Sequence, residues 1–176
     1  MDTMELMNTV RSIPDFPKEG IIFRDVPTLF QNPDAFRELM DRLAASLDGV
    51  KVDAVAGPEA RGFVLGSVLS YQLHAGFIPV RKPGKLPYDT VSYSYDLEYG
   101  SDTVEIHKDA IIPGQRVVVV DDLLATGGTA LAACKLVEQL GGKVVGVRFA
   151  IELEGMGGRE KLADYDVQSV LLFPGD

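Results

Sequence analysis

The chain has 176 residues, and hydrophobic residues make up 46% of them, which fits one globular domain and argues against a disordered chain. Its formal net charge of −9 argues against a surface that binds nucleic acid through many phosphate contacts. The single cysteine, Cys134, excludes an intrachain disulfide and fits a reducing cytoplasm, and neither a signal peptide nor a membrane span is expected.

The first half of the chain predicts helices around an irregular arm. Residues 3–12 predict a short helix, and the Pro- and Gly-rich residues 13–30 predict the arm. Residues 52–57 predict a buried strand, and residues 61–76 predict an apolar helix that ends at Gly76. Residues 32–49 predict an amphipathic helix, because five apolar side chains recur on one face: Phe36, Leu39, Met40, Leu43 and Leu47.

The second half alternates strands and helices after a hairpin. Residues 82–108 alternate polar and apolar side chains around turns and predict a β-hairpin or flap. Strands are predicted over residues 77–81, 115–122, 143–153 and 167–173, and helices over 127–142 and 157–165.

These elements predict an α/β fold in a single domain, residues 1–176. The strands are continuous runs of Val and Ile, which indicates a mostly parallel sheet covered by helices on both faces. Ligands bind such sheets at the carboxyl ends of the strands. We therefore expect a site at three loops: 56–61, 81–85 and 121–128.

The stretch VVVVDDLLATGGTA, residues 117–130, places two carboxylates where a hydrophobic strand leaves the sheet. Neighbouring carboxylates repel each other, so they suit vicinal hydroxyls or a bound cation. The following loop supplies backbone N–H groups and the hydroxyls of Thr126 and Thr129, and the helix after it adds a favourable dipole. The stretch predicts a site for a ribose with a neighbouring phosphate; a tight turn with solvated acids is the alternative.

Two common phosphate motifs are excluded. No lysine follows the glycines, as a nucleoside-triphosphate P-loop requires. The two glycines are adjacent and the acids precede them, which differs from a dinucleotide-binding fingerprint.

The same stretch resembles the phosphoribosyl-pyrophosphate (PRPP) motif of type I phosphoribosyltransferases. Other segments, in order and over nearly the whole chain, resemble the adenine phosphoribosyltransferase family: FPKEGIIFRDVPTL, GPEARGFVLG, VRKPGKLP, YDLEYGSDTVEIHKDAI and GGREKL. The resemblance implies that adenine N9 attacks C1′ of PRPP, with Mg²⁺ assisting, to give AMP and pyrophosphate. It also implies a cytoplasmic homodimer in which residues 1–30 form a small hood and residues 82–108 a flexible flap over the site.

The resemblance assigns roles to the acids and the loop. Asp121 and Asp122 would hold the ribose hydroxyls and stabilise positive charge on the ribose, while Glu98 would act near the adenine N9 proton. Mg²⁺ would bind oxygens of the ligands rather than direct protein ligands. The 5′-phosphate would be bound by five consecutive residues: Ala125, Thr126, Gly127, Gly128 and Thr129.

Further roles fall on cations and on the hood. Four cations would bind pyrophosphate, with Arg81 reaching towards a neighbouring subunit's site: Arg61, Arg81, Lys82 and Lys85. By themselves, these patterns also fit a surface arginine and a solvated basic turn. Adenine would be held by Ile22, Phe23 and Arg24 on one side and Leu123 on the other. The resemblance also suggests a cis peptide bond near Glu59–Ala60.

Two other functions stay open at this stage. A phosphoribosyltransferase for another base would keep the chemistry, although the segments FRDV and YDLEYG argue against it. A non-catalytic PRPP-sensing regulator would need a nucleic-acid-binding surface, which the acidic chain disfavours. Cys134, His74 and His107 lack the spacing of a nucleophile or metal site and are interpreted as structural.

Overall fold

A parallel sheet of five strands forms the centre of the computed structural model, which describes residues 1–175. The elements in chain order are α1 (Thr3–Asn8), β1 (Arg11–Pro14), β2 (Ile22–Asp25), α2 (Pro27–Phe30), α3 (Pro33–Ala45), β3 (Ala54–Pro58), α4 (Arg61–Leu73), β4 (Gly76–Val80), β5 (Thr90–Asp96), β6 (Ser101–His107), β7 (Arg116–Leu124), α5 (Gly128–Gln139), β8 (Lys143–Glu154), α6 (Gly158–Lys161) and β9 (Val167–Pro174). The order of strands across the sheet is β4-β3-β7-β8-β9, and every neighbouring pair is parallel.

Both faces of the sheet are covered, as predicted. Successive side chains of a strand point to opposite faces. Val117 and Val119 of β7 therefore pack in the core beneath α5, whereas Val118 and Val120 pack in the core beneath α3 and α4. All four are fully buried, which explains why the strand is a continuous apolar run. In the described residues no helix is long and apolar enough to cross a membrane.

The N-terminal predictions need two corrections. The first helix ends at Asn8 rather than residue 12, because β1 pairs antiparallel with β2 over 11–14 and 22–25. The predicted irregular arm is thus a two-stranded sheet followed by the one-turn helix α2. Tertiary pairing overrides the loop signal of its Pro and Gly residues.

Several further boundaries were wrong. The helices predicted to end at residues 49, 142 and 165 end at Ala45, Gln139 and Lys161. The helix predicted to end at Gly76 ends at Leu73, because His74 adopts a left-handed conformation (φ 52°) and Gly76 already begins β4. Strand β7 continues past Asp122, since Leu123 and Leu124 pair with β8. The connection between β7 and α5 is therefore residues 125–127 rather than a loop that starts at Asp121.

The hairpin of β5 and β6 packs beside α5 and over the carboxyl ends of the central strands. Its pairing places Tyr95 directly opposite Asp102. Val104 is buried, and Tyr93 and Tyr95 pack against the same apolar cluster. The base of the hairpin is thus fixed to the domain by apolar contacts.

Candidate active site

Two adjoining cavities lie at the carboxyl ends of the central strands. The β3 cavity has a volume of about 240 Å³ and is lined by Pro58, Glu59, Ala60, Arg61, Val80, Lys82, Val104, Asp121, Asp122 and Thr129. The α5 cavity has a volume of about 220 Å³ and is lined by Tyr95, Leu97, Asp102, Asp121, Leu123, Leu124, Ala125, Thr126, Gly127, Gly128, Thr129, Ala130 and Phe149. Asp121 and Thr129 line both cavities, so the two are parts of one cleft.

The acid pair occupies the floor of this cleft. The carboxylate of Asp122 is almost inaccessible and pairs with the guanidinium of Arg61. Asp121 keeps some accessible surface because it faces both cavities, and its Oδ1 accepts a hydrogen bond of 2.8 Å from the Asp122 N–H. Burial, followed by the negative charge of Asp122, raises the pKa of Asp121 well above its usual range. Asp121 is therefore a group that gains from a cationic or hydroxyl-bearing ligand.

Three of the four predicted cations are paired with carboxylates. Arg61 contacts Asp122, and Lys82 contacts Asp102 of the hairpin. The Nε of Arg81 lies 3.3 Å from Oε1 of Glu59, a residue that lines the β3 cavity. Lys85, on the turn beyond them, lines neither cavity.

Glu59 organises the basic turn from the opposite loop. Its Oε1 accepts a hydrogen bond of 2.7 Å from the backbone N–H of Lys82. This hydrogen bond, assisted by the charge of Arg81, lowers the pKa of Glu59. The Glu59–Ala60 peptide bond is cis, as the resemblance predicted.

The connection between β7 and α5 has the geometry of an anion site. Gly127 adopts a left-handed conformation (φ 85°) and precedes the first residue of α5, so the backbone N–H groups of the first turn face the cleft end of the helix. Thr129 lies on that turn, and its Oγ1 is 2.9 Å from the hydroxyl of Tyr95. The side chain of Thr126 is exposed to solvent.

Gly158, the first residue of α6, packs against this connection. A Cβ on Gly158 would lie 2.4 Å from the carbonyl oxygen of Ala125, so only glycine permits this close backbone packing. Next to it, Arg159 forms two hydrogen bonds of 2.8 Å to the carboxylate of Glu152. The ion pair holds α6 against β8. It thereby fixes the position of Gly158, which packs against the connection at residues 125–127.

The predicted adenine-binding residues are divided between the hood and the cleft. Ile22, Phe23 and Arg24 lie on β2, and none of them lines either cavity, whereas Leu123 lines the α5 cavity. The guanidinium carbon of Arg24 lies 4.6 Å from the ring centroid of Phe173 at the end of β9. The hood is therefore placed beside the cleft, with its predicted base-binding residues outside it.

Glu98 also lies outside the cleft. It is exposed in the turn that joins β5 to β6, where the N–H of Leu97 donates a 2.9 Å hydrogen bond to Gly100. Glu98 lines neither cavity, so any contact with a substrate requires the hairpin to move.

The residues interpreted as structural are buried or at element ends. Burial raises the pKa of the Cys134 thiol to about 12, so this thiol is protonated at neutral pH and is a poor nucleophile. His74 ends α4, and His107 ends β6.

Comparisons with known proteins agree with this geometry. Residues 26–172 match the phosphoribosyl transferase domain. An adenine phosphoribosyltransferase from Acidobacterium capsulatum is 58% identical over 166 residues, which are 94% of this chain and 92% of that protein. The chain belongs to the adenine phosphoribosyltransferase family.

Solved structures of the family have the same fold. The adenine phosphoribosyltransferase of Thermoanaerobacter pseudethanolicus superposes with a TM-score of 0.94 at 53% identity, covering 98% of this chain and 100% of that one. The enzyme from Saccharomyces cerevisiae, complexed with an imino-altritol bisphosphate and adenine, superposes with a TM-score of 0.90 at 43% identity, covering 96% and 98%. Both structures therefore match nearly the whole of this chain, including the elements that form the cleft.

For a member of this family, sequence reasoning missed three polar residues of the cleft: Glu59, Tyr95 and Asp102. A signal for two of them was present. The tyrosines of SYSYD alternate, which predicts one apolar face, and a turn over residues 97–100 sets Tyr95 opposite Asp102. Glu59 gave no signal of its own, because its partner lies on another loop 23 residues away.

Proposed function

We propose that this adenine phosphoribosyltransferase salvages purine base by transferring the phosphoribosyl group of PRPP to adenine, giving AMP and pyrophosphate. The observation that carries the proposal is the convergence of an acid pair, a cation cluster and a helix N-terminus in one cleft. The Saccharomyces cerevisiae relative, which binds adenine and a bisphosphate, supports the choice of ligands. In the reaction, adenine N9 bonds to C1′, the bond from C1′ to pyrophosphate breaks with its electron pair, and N9 loses its proton.

Asp121 and Asp122 are proposed to bind the ribose. Positive charge develops on the ribose ring as pyrophosphate leaves, and a fixed carboxylate next to that ring stabilises the charge. Asp121 is only partly exposed at the floor of the cleft, so water screens the interaction less there than at an open surface. Residues 125–129 would bind the 5′-phosphate through backbone N–H groups and the hydroxyl of Thr129.

The cations of the cleft are proposed to bind the leaving pyrophosphate. Arg61 and Lys82 line the β3 cavity, and a guanidinium can bind two phosphate oxygens at once. Arg81 and Lys85 lie on the same basic turn as Lys82. Arg81 of one copy could then serve the site of a second copy if its bond to Glu59 opens.

Adenine is proposed to enter between the hood and Leu123. Ile22, Phe23 and Arg24 would cover one face of the base, and closure of the hairpin would bring Glu98 towards N9. A cover of this kind would keep water from attacking C1′ in place of adenine.

Mg²⁺ is proposed as the cofactor. No three acidic, histidine or cysteine side chains converge as a metal site within residues 1–175. Mg²⁺ prefers oxygen ligands and keeps several waters, so it would bind oxygens of pyrophosphate and ribose rather than protein side chains. Bound with PRPP, it would neutralise charge on the pyrophosphate group.

Assembly and location follow from family resemblance. We expect a homodimer, since Arg81 is assigned to a neighbouring subunit's site, and a cytoplasmic enzyme, which its one buried, reduced cysteine fits.

Base selectivity tests the proposed function. Purified enzyme with PRPP and Mg²⁺ is supplied with adenine, hypoxanthine, guanine or orotate, and nucleotide formation is measured by chromatography. We expect AMP from adenine and little product from the other three bases. A preference for any other base would overturn the assignment of adenine, and PRPP binding without turnover of any base would indicate a sensor.

A further inference from the structure

A chain of four polar side chains crosses the mouth of the cleft. The ammonium group of Lys82 contacts Asp102 Oδ2, and the same oxygen lies 3.3 Å from the hydroxyl of Tyr95. The Tyr95 hydroxyl lies 2.9 Å from Thr129 Oγ1. The chain therefore joins the basic turn, the hairpin and the first turn of α5.

Both ends of this chain are groups that the proposed function assigns to phosphates. Lys82 lines the β3 cavity, where pyrophosphate would lie, and Thr129 lines both cavities. Asp102 lies between them and carries the negative charge that a phosphate oxygen would otherwise bring to Lys82. The mutual effect on the two pKa values agrees with the geometry, because the hydrogen bond lowers the pKa of Asp102 and raises that of Lys82.

We propose that Asp102 is an affinity-determining residue that competes with pyrophosphate for Lys82. It occupies the lysine while the site is free of anion and must release it when a phosphate group enters. The inference rests on the proposed function, since that function supplies the anion. Asp102 thereby weakens binding of PRPP and of pyrophosphate, and the weaker binding of pyrophosphate favours its release after the reaction.

The ion pair between Lys82 and Asp102 is strong enough to affect anion binding and weak enough for an anion to displace Asp102. The side chains of Lys82 and Asp102 are 44% and 30% exposed, so water screens their interaction in part. An ion pair of this exposure changes an equilibrium constant, such as that of anion binding, by roughly a few-fold. A pyrophosphate group, with more negative charge and Mg²⁺ beside it, can therefore displace the carboxylate.

Tyr95 holds the carboxylate in place. Its ring packs against Gly128, where an added Cβ would lie 2.9 Å from the ring, and its hydroxyl connects Asp102 to Thr129. This packing fixes the strand that carries Asp102 over the cleft.

The test measures binding of inorganic pyrophosphate in the presence of Mg²⁺ by calorimetry, using the full chain. Asp102→Asn removes the charge and keeps an oxygen for the Tyr95 hydroxyl. We expect pyrophosphate to bind two- to fivefold tighter to this variant. Asp96→Asn is the matched control, because Asp96 is an exposed carboxylate of the same hairpin, and its affinity should equal that of the unmodified enzyme.

A double variant separates the proposed competition from a general charge effect. In a Lys82→Gln background Asp102 has no lysine to occupy, so adding Asp102→Asn should bring no gain. Unchanged or weaker binding by Asp102→Asn, an equal gain in both backgrounds, or no pyrophosphate binding by the unmodified enzyme would each overturn the proposal. AMP formation is measured in parallel: its absence, with the binding pattern intact, would refute the proposed reaction and leave the role of Asp102 standing.

Discussion

At the residue scale, Asp121 shows how a binding site can oppose stability. Partial burial of its carboxylate, followed by the negative charge of Asp122, raises its pKa. A carboxyl group whose pKa is raised in the folded state stabilises the fold fully only below its unfolded pKa, and the contribution is lost as the pH rises through the folded pKa. At neutral pH the ionised form of Asp121 therefore costs stability that a ligand would restore.

Asp121→Asn should accordingly raise the thermal stability of the ligand-free protein at pH 7.5, by about 0.5–2 kcal/mol in the free energy of unfolding. The asparagine oxygen can still accept the hydrogen bond from the Asp122 N–H. The advantage should shrink as the pH falls towards the usual pKa of aspartate, because Asp121 then becomes neutral in both states. Thermal unfolding between pH 4 and 8 checks this, with Asp96→Asn as the exposed control; a less stable variant at pH 7.5 would contradict it.

Much of the site could be predicted at this scale from residue type and spacing. The acid pair and residues 125–129 lie together in the cleft because they are neighbours in sequence at the carboxyl end of one strand, β7. The carboxylate partners of the cations could not be predicted in the same way. Asp122, Glu59 and Asp102 reach Arg61, Arg81 and Lys82 from distant segments, and the order of strands decides which loops meet.

At the element scale, the hairpin of β5 and β6 is divided between an anchored base and an exposed tip. Val104 and Ile106 are buried at the base, whereas the residues of the turn, 97–100, are exposed. The sequence predicted a flexible flap over residues 82–108 from alternating polar and apolar side chains, but it did not indicate that the apolar face of β6 would fix the base to the domain. Apolar burial of one face is what such alternation implies.

Hydrogen exchange should follow this division. In the ligand-free enzyme we expect fast exchange over residues 94–102 and slower exchange at the base, around Val104 and Ile106. AMP should slow exchange at the tip, because closure would bring Glu98 towards the base and order the turn. Mass spectrometry of peptides from residues 88–108 gives the measurement. Strong and equal protection of the tip in both states would mean a rigid hairpin, and Glu98 would lose its proposed role.

At the scale of the whole molecule, the fold followed from the alternation of helices and apolar strands. The doubly covered parallel sheet was predicted because continuous Val runs are typical of strands buried on both faces. Arg148 marks the limit of that reasoning, since a charged residue inside β8 interrupts the apolar run. It is buried, and its guanidinium is bound by Ser46 and Asp166, with distances of 2.9 Å from Nε to Ser46 Oγ and 2.9 Å from Nη2 to Asp166 Oδ2. Ser46 lies 102 residues from Arg148 in sequence, so this contact cannot be inferred from the local sequence pattern.

The central claim joins the fold to the chemistry: one cleft, built around Asp121 and Asp122, moves the phosphoribosyl group from PRPP to adenine. Phosphorus NMR of a mixture of enzyme, PRPP, Mg²⁺ and adenine follows both products at once, and the variant Asp121→Asn with Asp122→Asn provides the comparison. We expect equal amounts of AMP and pyrophosphate from the unmodified enzyme, and only when adenine is present. We expect a turnover rate roughly 100- to 1000-fold lower in the folded double variant, the loss typical of removing a group that stabilises transition-state charge. Near-normal turnover by that variant, or pyrophosphate release without AMP, would contradict the central claim.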